Sequence, residues 1–386
     1  MSRMPVQWAF VIALCNMSSY RASKVLVTLF GIELGAGPFT IGVLVALYSV
    51  FPMLLALHVG RLADRFGMRL PMILGSLGVA CGFAVPFLWP SLAGLYASAV
   101  LIGGSYVFYH VSVQSLIGML STTESRTRNF ATYALVLSVG GFLGPLAAGF
   151  GIDALGHRSA YLGLALVPLA PVLILLALGR RIPAPSGAAA GMGGKSAVDL
   201  WRNAGLRRVF LMSAVVLAGI DLYQFYLPIY GRSVGLSASV IGMVLAMFSA
   251  ASFVVRTAMP PLVRSAGEEG LLRYALLVGA LGYLALPLFE NAWLLAAVSF
   301  VLGLGLGLGQ PVSTILVYAR SPEGRAGEAL GMRLAVNNLV HLAVPLAFGT
   351  LGTAFGVAPV FLANSALLAG GSFLGRRGSG QRLEKL

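Results

Sequence analysis

The sequence predicts an all-α membrane protein: twelve transmembrane helices arranged as two pseudo-symmetric six-helix bundles. Three observations lead there. The 386 residues are 58% hydrophobic and only 10% charged, against roughly 25% charged in an average soluble domain. The charges collect in polar breaks between apolar stretches of about 20 residues, the length that crosses a bilayer core as a helix. The second half of the chain also repeats the first at a shift of 200 residues. With 12 acids and 26 bases, no water-facing surface of ordinary size can be built, which excludes a soluble enzyme and a disordered chain. A β-barrel would alternate with period two in segments of about ten residues, and that pattern does not dominate.

Taken in order, the spans are 7–32, 38–59, 70–89, 92–119, 129–152, 159–180, 208–232, 238–258, 270–289, 292–318, 328–352 and 356–375. Span 1 lacks a small-residue cleavage site and continues past Tyr20, so it reads as a retained span and not as a signal peptide. Span 5 is rich in Gly and Pro. Span 10 carries Gly303, Gly305, Gly307 and Gly309. These lie inside an apolar stretch with no following Lys, so they predict close packing and not a phosphate loop. Between spans 6 and 7, residues 181–206 form a basic linker that starts with Pro183, Pro185 and Gly187. It ends in an amphipathic stretch, Val198 to Arg208, expected on the membrane surface. The chain thus divides into an N-terminal bundle, 1–180, the linker, 181–206, and a C-terminal bundle, 207–386. Cys15 and Cys81 lie in apolar segments, make neither a disulfide framework nor a metal site, and are expected to pack.

Charge position fixes orientation. Alternate breaks hold 21 bases, the intervening breaks hold Arg158 and Arg232, and Arg21, Lys24 and Arg333 fall inside spans. By the positive-inside rule both termini are expected in the cytoplasm. The net charge of +14 is therefore a topology signal, and no nucleic-acid partner is expected.

The repeat is carried by Gly and Pro coincidences. Gly67 meets Gly267, Gly82 meets Gly282, Gly103 meets Gly303, and Pro145-Leu146-Ala147 meets Pro345-Leu346-Ala347. Six spans, a linker and six spans resemble the major facilitator superfamily of secondary transporters, in its bacterial twelve-helix form. The loop Gly60-Arg61-Leu62-Ala63-Asp64-Arg65-Phe66-Gly67-Met68-Arg69 matches that superfamily's G-x-L-A-D-R-x-G-R-R, Met68 excepted. The resemblance implies a conformational latch on Gly60, Asp64, Arg65, Gly67 and Arg69. Its acid pairs with neighbouring Arg and with a helix N-terminus of the other half, stabilising the state open to the outside. In the second half Arg264 stands at the Asp64 position, so any latch there differs. Gly140, Gly144, Pro145 and Gly149 on span 5 resemble a motif of antiporter branches; packing is the competing reading. The resemblance covers essentially the whole chain.

Polar residues inside spans mark the candidate site, because a charge near the bilayer centre costs about 2.5–3.5 kcal/mol on insertion scales and normally faces a cavity or partner. Span 1 carries Arg21 and Lys24 on one face. Span 4 carries Tyr106, His110 and Gln114. Span 7 carries Asp221 and Gln224, span 10 Gln310, and span 11 Arg333, Asn337 and His341. Arg21 and Asp221 are repeat partners, which the pseudo-two-fold axis brings towards each other. Helix positions 1, 4, 7, 10 and 11 resemble the family's cavity-lining set. Two features depart from drug-exporting antiporters: Ala99 stands where an Arg is usual, four residues before Gly103, and span 1 has no acid.

The expected function is secondary transport of a small organic solute by alternating access. Two bases against one acid point to an organic anion or acidic amphiphile; efflux of hydrophobic drug-like compounds by proton antiport is the alternative. Protons are the expected coupling ion, with Asp221 and a His titrating. No Walker motif is present, and no paired carboxylates or metal-ligand cluster point to an enzyme. No metal or cofactor is expected. The expected setting is the cell inner membrane, as a multi-pass monomer in the lipid bilayer.

Overall fold

The structure, a computed structural model, describes residues 4–122, 124–179, 182, 197–322 and 325–374; the side chains at 55–66, 126–127, 197–198 and 326–327 lie outside that description. In hydrocarbon a backbone amide finds no water, so every one must be satisfied within its own segment. The described chain accordingly folds into helices: α1 (Val6–Glu33), α2 (Pro38–Phe66), α3 (Arg69–Leu88), α4 (Leu92–Leu120), α5 (Arg126–Ala165), α6 (Leu169–Leu178), α7 (Ala197–Arg202), α8 (Ala204–Ser233), α9 (Ala238–Thr257), α10 (Met259–Ala285), α11 (Ala292–Arg320), α12 (Ala326–Phe355) and α13 (Val357–Leu374).

Nine helical stretches among the described residues are long and apolar enough to cross a membrane. One of them, Arg128–Leu178, holds both the fifth and sixth spans, because two helices meet inside α5 at Gly156, whose φ of 76° and ψ of 164° are non-helical. With α1 and α2 these make up the twelve spans. The expected surface stretch over Val198–Arg208 is cut short. α8 already starts at Ala204, because the Asn203 side chain accepts from the backbone N–H of Gly205 (3.0 Å) and Leu206 (3.2 Å) and caps a new helix there. Both cysteines are free, but Cys81 is exposed on the helix exterior and does not pack in the core.

Six glycines among the described residues have positive φ: Gly35, Gly67, Gly156, Gly235, Gly267 and Gly356. They form three pairs 200 residues apart, so the duplication reaches the backbone conformation of the helix ends. Only glycine enters this region without a steric penalty, which explains why these positions kept it in both copies.

The chain forms two compact units. The first is Met1–Gly191 with Pro228–Ala246, the second Met192–Leu227 with Met247–Leu386. The end of α8 and the start of α9, second-repeat segments in sequence, thus belong to the first compact unit. Within that unit α4 meets α2 at Gly103, where an added Cβ would lie 2.6 Å from both Cα and carbonyl oxygen of Tyr48. Within the second, Gly303 meets Phe248 in the same way, 2.2 Å from its carbonyl oxygen. The glycine run of α11 is therefore a packing surface: a Cβ on Gly307 would meet Ser252, and one on Gly309 would meet Val216. Small residues of this kind let membrane helices approach closely enough to gain dispersion contacts.

Gly103→Val should lower the melting temperature sharply in detergent. The obstructing atoms are backbone, so α2 and α4 must separate, and overpacking of this kind costs about 1–3 kcal/mol or more. An unchanged melt would mean that α2 and α4 do not touch at this point.

Candidate functional site

The second unit gathers its polar residues into two groups on α12. Arg333, Asn337 and His341 follow one another at i, i+4 and i+8, which keeps them on one helical face. At one end of the row, His341 Nδ1 lies 2.5 Å from an oxygen of Asp221 on α8. The Asp221 side chain is nine-tenths buried, and His341 is one-third exposed. At the other end, Arg333 is 8% exposed and Asn337 7%. One guanidinium nitrogen, Nη1, donates to Gln310 Oε1 (3.0 Å), Ser313 Oγ (3.2 Å) and Ser213 Oγ (3.3 Å). Asn337 Nδ2 donates to the same Gln310 oxygen (3.2 Å), and Gln310 Nε2 donates to the Ser213 carbonyl (3.3 Å). Five candidates from three helices thus meet within one unit. Gln224, one turn beyond Asp221, is half-buried.

Ser213 and Ser313 were not among the residues singled out in the sequence. The signal for Ser213 was present: it lies eight residues before Asp221, on the same face of α8. Ser313 lies one turn after Gln310.

The first unit builds an aromatic ladder. Tyr20 stacks on Tyr106 (centroids 4.0 Å apart, planes 17° apart) and meets Tyr48 edge-on at 5.8 Å. Tyr106 in turn stacks against His110 at 5.3 Å. Its hydroxyl donates to the Met17 sulfur at 3.4 Å, and the Gln114 amide lies 3.2 Å from the His110 ring. Lys24 Nζ sits 5.0 Å over the Tyr20 ring, a cation–π contact that partly replaces the hydration its charge has lost. Tyr20 also escaped notice in the sequence, although it lies four residues before Lys24. Arg21 lies on the packing line of α1 and α5: a Cβ on Gly144 would sit 2.7 Å from Arg21 Cβ, and one on Gly140 would sit 2.9 Å from Met17.

The span-5 glycines serve two contacts. Gly140 and Gly144 seat α5 on α1. Pro145 and Gly149 seat it on α9, where a Cβ on Gly149 would lie 2.3 Å from the Ala238 carbonyl and one on Gly242 2.4 Å from that of Pro145. One turn further on, Asp153 accepts from the backbone N–H of Ala238 (3.2 Å) and Ser239 (2.8 Å) at the start of α9. Burial pushes the Asp153 carboxyl up, but hydrogen bonds from the hydroxyl and N–H of Ser239, the Ser237 hydroxyl and the Ala238 N–H outweigh it and leave it below the usual value. Beside it His157 pairs with Glu33. Burial lowers the His157 pKa, Glu33 opposes that, and Arg232 reinforces it.

Of the expected latch residues, the side chains of Gly60, Asp64 and Arg65 lie outside the described residues. α2 ends at Gly67, with φ 80°. Arg69 donates to the carbonyls of Leu175 (3.1 Å) and Leu176 (3.3 Å) in the last turn of α6, where helix carbonyls have no internal partner.

A polytopic helical protein with two repeats and polar groups inside its spans has the construction of a membrane carrier. The Major Facilitator Superfamily profile matches residues 9–339, and the chain belongs to that family. It is 26% identical over 321 residues to the class C tetracycline resistance protein of Escherichia coli, covering 79% of this chain and 78% of that protein. It is 25% identical to the multidrug efflux pump LfrA of Mycolicibacterium smegmatis (81% and 73% covered). Among solved structures, a nucleoside transporter superposes with a TM-score of 0.81 at 11% identity, with 96% of this chain and 99% of that one covered; at that identity the likeness speaks for the fold alone.

Asp153→Ala should reduce stability by about 1 kcal/mol, the typical worth of a helix cap. Because the carboxyl pKa is depressed in the fold, its contribution is present above the unfolded value of about 3.9 and is lost as pH falls through the folded value. The difference in melting temperature between the two proteins should therefore be full at pH 7 and vanish in acid. A difference that persists with the carboxyl protonated would remove the cap as its cause.

Proposed function

We propose that this chain is a proton-coupled exporter of small amphipathic, drug-like organic compounds, working by alternating access. The Asp221–His341 pair carries the reading. A carboxylate and an imidazole in contact inside a membrane span share protons as a unit, and an intramembrane acid paired with a histidine is the usual chemistry of a proton relay. Export of drug-like compounds is supported by the relatives, named for tetracycline resistance and multidrug efflux. The aromatic ladder of Tyr20 and Tyr106 beside Lys24 offers flat, polarisable surface to such compounds. On this reading the Arg-rich breaks face the cytoplasm, the protein sits in the cell inner membrane as a monomer, and no cofactor takes part.

The test is flux into proteoliposomes under an imposed pH gradient. Asp221→Asn should abolish proton-driven accumulation while leaving exchange of substrate down its own gradient. The variant keeps a hydrogen-bonding partner for His341, which can stay neutral, so the protein should still fold. Full proton-driven transport by Asp221→Asn would eliminate the coupling role of this acid.

The 60–69 motif yields a second expectation. Asp64→Asn should slow transport and bias the protein towards the state open to the cytoplasm, with ligand affinity changed much less, because a conformational contact and not a ligand contact is lost. Wild-type flux in that variant would remove the latch.

A further inference from the structure

Arg333 differs from Lys24 and Asp221 in how its charge is met. Lys24 has a ring face and Asp221 has an imidazole. Arg333 is more than nine-tenths buried, and every hydrogen bond it makes among the described residues goes to a neutral oxygen: Gln310, Ser313 and Ser213. All three converge on Nη1, while Nε is buried with no partner. No carboxylate among the described residues lies within ion-pair distance of it. The residue sits seven positions inside α12, about 10 Å along the helix at 1.5 Å per residue, with its side chain buried against protein and not extended from the helix end. A guanidinium presents five donors in a planar fork suited to the two oxygens of a carboxylate. Here one edge of that fork is occupied by neutral groups and the charge is uncompensated.

We propose that Arg333, held by Gln310, Ser313 and Ser213, is an anion subsite that takes the carboxylate or other singly charged acidic group of an amphipathic solute. The subsite lies eight residues from His341 on α12, about 12 Å along the helix axis, so the acidic group of the ligand and the coupled proton occupy separate places on one helix. The serine and glutamine oxygens orient the guanidinium without neutralising it. The positive charge therefore stays available for a ligand whose own charge would otherwise bar it from the apolar interior. A phospholipid phosphate offers the same chemistry, and a bilayer without anionic lipid separates the two sources. The inference builds on the transport reading but is tested by binding alone.

The probe is 2-naphthoate with its uncharged amide, 2-naphthamide, followed by thermal melting of the full chain in phosphatidylcholine nanodiscs. Naphthoate should raise the melting temperature in a saturable way and the amide should not. Arg333→Gln should weaken naphthoate binding roughly ten- to hundredfold, the loss expected for a charge-assisted hydrogen bond, and Arg333→Lys should recover part of it. Should Arg333→Gln fail to fold, Ser213→Asp decides. It places a carboxylate beside the guanidinium, so it should raise the melting temperature of the free protein and abolish the naphthoate response. Equal responses to acid and amide, no response to either, or a naphthoate response intact in Ser213→Asp would each overturn the subsite. A response in phosphatidylcholine that disappears when phosphatidylglycerol is added would leave the anion chemistry standing, with lipid as a competitor. If acid-selective binding occurs without proton-driven flux, the subsite survives and the transport reading falls. Proton-driven flux of neutral compounds with no naphthoate binding gives the reverse.

Discussion

The hydrocarbon slab imposes one requirement on everything in it: each backbone polar group must find a partner inside the protein, and a side chain left without one is costly. The backbone meets it by forming helices throughout the described spans. Side chains meet it by recruiting whatever neighbour the packing provides. Ser98 donates to the Gly82 carbonyl (2.7 Å), Ser365 to that of Ala280 (2.7 Å), and Asn16 Nδ2 to Ser76 Oγ (3.2 Å). Against that background the charged residues are conspicuous, because a serine is satisfied by one carbonyl and a guanidinium is not. The interest of Asp221, Lys24 and Arg333 lies in how differently each is compensated: by an imidazole, by a ring face, and by neutral oxygens.

Duplication supplied the scaffold, and divergence supplied the chemistry. Gly103 on Tyr48 and Gly303 on Phe248 are the same contact made twice, and the three pairs of positive-φ glycines keep the helix ends in step. The polar positions were released from that symmetry. At the 200-residue shift Arg21 aligns with Asp221, Lys24 with Gln224, and His110 with Gln310. A packing glycine constrains the path of two helices, so both copies must retain it. A side chain in the polar interior constrains only its immediate partners, so each copy can specialise. One unit became aromatic and cationic, and the other gained an acid, a buried arginine and their amide partners.

This division explains what the sequence made legible. Span number, the internal repeat and the faces of span-embedded polar residues follow from hydropathy and from the 3.6-residue period, which are local properties. Span ends are less legible, because they depend on caps and breaks: Asn203 starts α8 some four residues before the apolar run does, and Gly156, with non-helical φ and ψ, is where the helices of spans 5 and 6 meet. Partner choice was the least legible. Within its own unit the Asp221 carboxylate meets His341, a pairing that hydropathy and the repeat do not single out. Sequence position gives the face of a helix, but which residue of a neighbouring helix meets it depends on axial register, which hydropathy does not encode. Tyr20, Ser213 and Ser313 escaped for another reason: singly, a tyrosine or serine in a span is ordinary, and only its partner makes it significant.

The contact between Asp153 and α9 bears on how such a scaffold could switch. Its acid is on the first repeat and its helix N-terminus on the second, yet both lie in one compact unit. The motif at 60–69 is expected to join an acid to a helix N-terminus at the end of α2, and spans 2 and 5, separated by an odd number of crossings, end on opposite faces of the bilayer. An acid at a helix N-terminus is worth only about 0.3–1 kcal/mol when exposed. That weakness suits the task. A carrier must visit both states in every cycle, so neither closure can be deep. Moving a two-state population from 1:99 to 99:1 takes about 5.5 kcal/mol, within reach of a proton and a ligand bound with different affinity in the two states. Closures built from large apolar surfaces, at about 25 cal/mol per Å², would exceed that difference with a few hundred Å² of contact. A carboxylate on two backbone N–H groups, flanked by glycines that let the helices touch, is a contact specific in geometry and shallow in energy.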